Sequence, residues 1–119
     1  MINRLFRINN QEAWNGRGLT LVSKGQLDLA LSCYKKALGI DNSIALIWNN
    51  IGTYYFLIGE YEKAYNHFLK LIELEPSVLA YYNLCSLFFQ KGESYVAFGI
   101  AAYSNQISQN QFRNLLQPE

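Results

Sequence analysis

Residues 48–64 read WNNIGTYYFLIGEYEKA, and residues 14–30, lying 34 positions earlier, read WNGRGLTLVSKGQLDLA. Most letters change, yet Trp14, Gly18, Gly25, Leu27, Ala30, Tyr34 and Ala37 map by that offset onto Trp48, Gly52, Gly59, Tyr61, Ala64, Phe68 and Leu71. An offset of 33 then carries Trp48, Ile51, Gly52, Gly59 and Ala64 to Tyr81, Leu84, Cys85, Gly92 and Ala97. Self-similarity at a fixed period of this size decides the architecture, because each unit is one supersecondary element stacked on the next. Three units follow, at about 11–44, 45–77 and 78–110, with an N-terminal extension over 1–10 and a short C-terminal cap or tail over 111–119.

Within a unit the spacing is helical. Trp48, Ile51, Gly52 and Tyr55 fall at i, i+3, i+4 and i+7, one stripe of a first helix, and Tyr61, Ala64, Phe68 and Leu71 form the stripe of a second. Gly59 separates the stripes, with Gly25 and Gly92 in the same place in their units, because glycine accepts the left-handed conformation that commonly ends a helix. Pro76 stops the second helix of the middle unit, and Asp41, Asn42 and Ser43 supply the equivalent break with turn chemistry and an N-cap. Gly18, Gly52, Ala30, Ala64 and Ala97 are small where a neighbouring helix must come close and receive bulky side chains.

These residues, W-x2-L-G-x2-Y followed by G-x-Y-x2-A-x3-F-x2-A and a proline, resemble the tetratricopeptide repeat. The resemblance covers about 100 of the 119 residues and implies an all-α, right-handed α–α superhelix: a solenoid of three helix-turn-helix units with about six main helices. The third unit departs from the pattern: Ala101 stands where Tyr34 and Phe68 stand, and Ser104 where Ala37 stands. Either its second helix packs less deeply or its register differs by a residue.

Composition excludes several classes of function. Half of the residues are apolar and 16% are charged, as in a globular chain, and a net charge of +1 gives no general attraction to nucleic acid or to an acidic membrane. Charge is uneven, at +4 over residues 1–40 and −3 over 41–80. Cys33 and Cys85 have no second ligand nearby, so neither a disulfide framework nor a metal site is expected, and thiols point to a reducing, cytoplasmic setting. No stretch reaches the roughly 20 apolar residues that span a bilayer, and MINRLFRINN lacks the apolar run of a signal peptide.

No catalytic constellation emerges, so the chain is read as a non-enzyme without cofactor or metal. His67, the single histidine, has no Cys, Asp or Glu at metal or triad spacing and is expected on the surface. Glu60/Glu62 and Glu73/Glu75 flank a helix where solvated carboxylates are ordinary, and the glycines follow the repeat period rather than any phosphate-binding pattern. Aromatic residues are plentiful, but the interleaved Lys and Arg of a single-strand-binding surface are missing, which argues against nucleic acid.

The residues off the core stripe carry the functional expectation. Leu46, Asn49, Asn50, Thr53 and Phe56 lie rotated away from Trp48 on the middle first helix; Leu79, Tyr82, Asn83, Ser86 and Phe89 correspond in the third unit, and Asn15 and Leu19 in the first. The family resemblance implies that this face lines a concave groove for extended or helical peptides. Asn50 and Asn83 hold equivalent places and can donate to and accept from a peptide backbone, although Gly16 breaks the series; a merely tolerated polar residue is the competing reading. The carboxylate clamp by which some family members hold chaperone tails is not expected, since its cationic places hold Asn15, Leu79 and Asn83 and Asn50 alone matches. Apolar Leu46, Phe56, Leu79, Tyr82 and Phe89 favour an apolar or amphipathic peptide.

The ends bear on association with further copies. Only FRNLLQPE follows the third unit, so Phe98, Ile100, Tyr103 and Ile107 either form an open oligomer face or are covered by Phe112, Leu115 and Leu116 folding back. Ile2, Leu5, Phe6 and Ile8 can cap the first unit, dock on a second copy or lie in the groove. The expected function is a protein-interaction module for a protein or peptide partner, and the alternative is a self-assembly unit joined through the terminal repeat or the N-terminal arm.

Overall fold

A computed structural model describes residues 2–116, and the side chains of 10–111 and 113–115. Six helices follow one another: α1 (Ile2–Ser23), α2 (Leu27–Ile40), α3 (Ala45–Leu57), α4 (Tyr61–Leu74), α5 (Val78–Gln90) and α6 (Ser94–Leu116). No strand occurs among the described residues. Helices pair as α1/α2, α3/α4 and α5/α6, and α3 and α5 each pack on the hairpin before them. The result is a right-handed α–α superhelix rather than a ball: the radius of gyration is 16.5 Å, against about 13–14 Å for a compact domain of this length.

Each hairpin turns through a glycine with positive φ, at Gly25 (77°), Gly59 (82°) and Gly92 (82°). The turns are Schellman motifs. Gly59 N–H donates to Phe56 O over 3.1 Å and Glu60 N–H to Tyr55 O over 2.9 Å, and the same two bonds recur around Gly25 and Gly92. Between hairpins the chemistry differs. Ser77 caps α5, its Oγ accepting from Ala80 N–H at 3.2 Å, whereas Ser43 does not cap α3, where Ile44 stands at the N-cap without a side-chain bond. Ser43 instead donates through N–H and Oγ to Asp41 Oδ1, at 2.9 and 2.6 Å, closing a local turn that also holds the Asp41 carboxyl below its usual range.

Large and small residues exchange places between paired helices. Gly18 lies against the Tyr34 ring and Gly52 against the Phe68 ring, so closely that a Cβ on either glycine would enter the ring. In the third hairpin the sizes reverse, Cys85 facing a helix that carries Ala101, with Cys85 Sγ 3.3 Å from Ala97 O. Ala97 and Ser104 are buried at the positions of Ala64 and Leu71, so α6 keeps the register of the other second helices. Ala101 is exposed, and the helix packs less deeply.

Both ends are helical continuations. Residues 2–10, expected as an N-terminal extension, are part of α1, and residues 111–116 of the expected cap or tail are part of α6. Leu115 is 84% exposed and so does not fold back over α6. The side chains of Ile2, Leu5, Phe6, Ile8, Phe112 and Leu116 lie outside the described ones.

Candidate functional site

The first helices α1, α3 and α5 meet through asparagines. Asn50 Nδ2 donates to Asn15 Oδ1 at 2.8 Å, both residues being buried, and Asn83 Nδ2 donates to Asn49 Oδ1. The pairing is diagonal: Asn15 and Asn49 are equivalent residues of the first and second units, while Asn50 and Asn83 sit one position later in the second and third. Gly16 therefore breaks no series. It occupies the donating position of the first unit, while the accepting position there, Asn15, is filled and bonded. Asn50 and Asn83, read from sequence either as partners for a ligand backbone or as tolerated polar residues, each commit one N–H to the neighbouring first helix.

Around these pairs stand the other residues expected in the groove. Leu19, Leu46, Leu79, Tyr82 and Phe89 are exposed, Tyr82 and Phe89 by about two thirds of their surface. Thr53 and Ser86 are half-buried. Phe56 is also half-buried, its ring 5.9 Å from Tyr61 and packed on the core that joins α4 to α5. Leu46, Asn49, Asn50 and Thr53 follow one another at i, i+3, i+4 and i+7, so the exposed leucine shares the asparagine face. Of the residues expected at an oligomer face, Phe98 and Tyr103 are exposed, whereas Ile100 and Ile107 are half-buried.

His67 is not the open surface histidine that its isolation in sequence implied. It is half-buried, its ring 5.7 Å from Trp48 and 5.2 Å from Tyr55, and its Nδ1 lies 2.7 Å from Lys63 O. Because a carbonyl can only accept, Nδ1 carries the proton. No group of three metal-ligating side chains occurs among the described residues, and no described helix is long and apolar enough to cross a membrane.

Three features escaped sequence reading. Lys36 Nζ lies 4.3 Å from the centroid of Trp14, and Lys70 Nζ 5.9 Å from that of Trp48, a cation–π contact repeated at the period of the chain. Lys36 and Lys70 are 34 apart, so the offset contained that signal. In the third unit the Tyr81–Tyr103 pair, edge to face at 5.6 Å, takes its place. Tyr54 Oη donates to Asp28 Oδ1 at 2.6 Å, tying α3 to α2. That bond, with burial and the carboxylate charge behind it, pushes the Tyr54 hydroxyl up to about 12. Finally, an open cleft of about 510 Å³ lies between α5 and α6.

A family model described as TPR repeat matches residues 18–59, and a second, Tetratricopeptide repeat, matches residues 45–78. Together they run from 18 to 78, just over half of the 119 residues. The chain belongs to the tetratricopeptide repeat family. As a tetratricopeptide repeat protein it is a protein-interaction scaffold. Among curated proteins it is 31% identical over 70 residues to the "Peroxisomal targeting signal receptor" of Candida albicans (strain SC5314 / ATCC MYA-2876), a match covering 58% of this chain and 12% of the receptor. The chain thus spans about an eighth of that relative's length. Among solved structures, MamA superposes with a TM-score of 0.80 at 19% identity, over 88% of this chain and 62% of MamA. The second tetratricopeptide domain of Spaghetti (RPAP3), solved with an HSP90 peptide, gives a TM-score of 0.71 at 21% identity over 87% of this chain and 99% of that one. At such identities the likeness is one of fold.

Proposed function

We propose that the face of α1, α3 and α5 around the asparagine pairs is a groove that holds an apolar or amphipathic peptide segment of another protein. The observation that carries this reading is the recurrence of exposed apolar side chains on that face, Leu46 and Leu79 at equivalent places with Leu19, Tyr82 and Phe89 beside them. Contiguous exposed apolar residues with a polar surround are the usual mark of an interaction surface. Asn49 and Asn83 are half-buried and keep hydrogen-bonding capacity beyond the bond they share, which suits the backbone of an extended ligand. The relatives lend support, one being a receptor for a targeting signal and another a domain bound to a peptide. A tail with a terminal carboxylate is not the ligand proposed, since the places a clamp would fill with cations hold Asn15, Leu79 and Asn83.

The module so read is non-enzymatic and works in the cytoplasm, where the free thiols of Cys33 and Cys85 persist. Selection of a random peptide library on the immobilised protein, followed by calorimetric titration of the enriched peptide, tests the proposal. Leu79→Ala and Phe89→Ala should each weaken binding about tenfold or more, because burying such a side chain is worth about 1.5–3 kcal/mol. Peptides that bind both variants as tightly as the parent, or a library that yields none, would remove the groove from consideration.

A further inference from the structure

The two ends of the stack are built differently. On α3 the side chains that enter the preceding hairpin are Ile47, Asn50, Ile51 and Tyr54, all buried. Their equivalents on α1 are Ala13, Gly16, Arg17 and Thr20, all exposed. Over residues 13–20, then, α1 carries a charged and small surface where α3 carries a buried apolar one.

The opposite end is an open face whose cleft is lined by uncharged residues. Its cleft of about 510 Å³ is floored by Ala101, Ala102 and Ser104 and walled by Tyr81 and Phe98, with Phe98 72% exposed beside it. No described residue lies over it. The face is also ill suited to receiving another repeat of this chain's kind. Phe68, Leu71 and Ile72, which pack beneath α5, are replaced here by Ala101, Ser104 and Asn105, and the asparagine whose oxygen would accept from a following helix is replaced by Tyr82.

We propose that this face binds the same face of a second copy of the chain, in a two-fold dimer where Phe98 of each copy enters the small-residue cleft of the other. Three observations favour a second copy over a foreign helix. The face carries a projecting ring and a hollow of small residues side by side, the self-complementarity that a two-fold contact requires. None of the residues that line the cleft is charged, so the cleft meets its own image without like-charge repulsion, Arg113 standing apart from it on the last turn of α6. Its size suits a weak pair: the 23 residues of α6 span about 34 Å and the 13 of α5 about 20 Å, which at about 10 Å per helix give roughly 550 Å², below the ~800 Å² per partner of a standard interface and at the low end of specific contacts.

Sedimentation velocity over three decades of concentration, up to the millimolar range, reads the outcome. The 13.7 kDa chain should convert to a species of twice its mass. Phe98→Glu and Ala102→Glu, both at exposed positions, should each raise the dimer Kd at least about 100-fold, because the symmetry places two unpaired carboxylates in one dry contact. Leu19→Glu, at the far end, should leave it unchanged. Hydrogen exchange of the unaltered protein at low and high concentration gives an independent reading, with protection expected on α5 and α6 and none on α1. A chain that stays monomeric, and so leaves the face to a foreign helix, overturns the proposal. So does a dimer indifferent to both glutamates, a ladder of growing species, or protection centred on α1.

Discussion

Asn50 donates its side-chain amide to Asn15 across 2.8 Å, a buried bond between residues 35 apart in sequence that joins the first helices of consecutive repeats. Removing one partner strands the other in a site where water has little access, which costs about 1–3 kcal/mol. Asn50→Ala should therefore lower the urea unfolding free energy by that amount. The Asn15→Ala/Asn50→Ala double variant should lose less than the sum of the singles, with a coupling of about 1 kcal/mol. Strict additivity would mean that the two amides act independently.

At Gly52 two effects oppose one another. Alanine would gain about 1 kcal/mol of helix propensity, but its Cβ would lie 2.5 Å from Cε1 of Phe68, a ring only 2% exposed with no room to withdraw. Overpacking of that kind costs about 1–3 kcal/mol, so Gly52→Ala should lower the melting midpoint. Gly16→Ala, with nothing within 4 Å of the new methyl, should raise it through a gain of about 0.5–1 kcal/mol. Midpoints that move in the same direction would contradict the close helix approach at Gly52.

Ala64 has no exposed surface and belongs to the core between α4 and α5. Ala64→Leu should destabilise by about 1–3 kcal/mol through overpacking, whereas Ala102→Leu, on the open side of α6, should change stability by no more than about 0.5 kcal/mol. Chemical denaturation of the two variants side by side checks the contrast.

The Tyr54 hydroxyl titrates at about 12 rather than 10.0, chiefly because it donates to Asp28. A folded value above the unfolded one means that the neutral hydroxyl stabilises the fold. The contribution is complete below pH 10 and is lost as pH rises from 10 through about 12. Difference absorbance between the parent and Tyr54→Phe should isolate this late titration, and Asp28→Asn should bring it back toward 10. An unchanged midpoint in Asp28→Asn would assign the shift to burial alone.

The hairpins were legible in sequence because their determinants are single residues at fixed spacing: Gly25, Gly59 and Gly92 end helices by backbone conformation, and Gly18 and Gly52 answer the rings of Tyr34 and Phe68. What stayed hidden depends on relations between unequal positions. Superposing units at one offset compares Asn50 with Gly16 and Asn83, whereas the bond runs from Asn50 to Asn15, one place away on the preceding helix. Ser43 had the identity of an N-cap, but Asp41 two residues earlier competes for its hydrogen bonds. His67 looked isolated because the rings that enclose it, Trp48 and Tyr55, carry no ionisable partner to announce them.

Substantial packing runs only between consecutive helices, from α1/α2 through to α5/α6. Order along the chain is therefore order in space, and the molecule has the makings of a zipper. Its contacts are short-ranged, a topology that favours rapid folding, and it can open from an end one hairpin at a time.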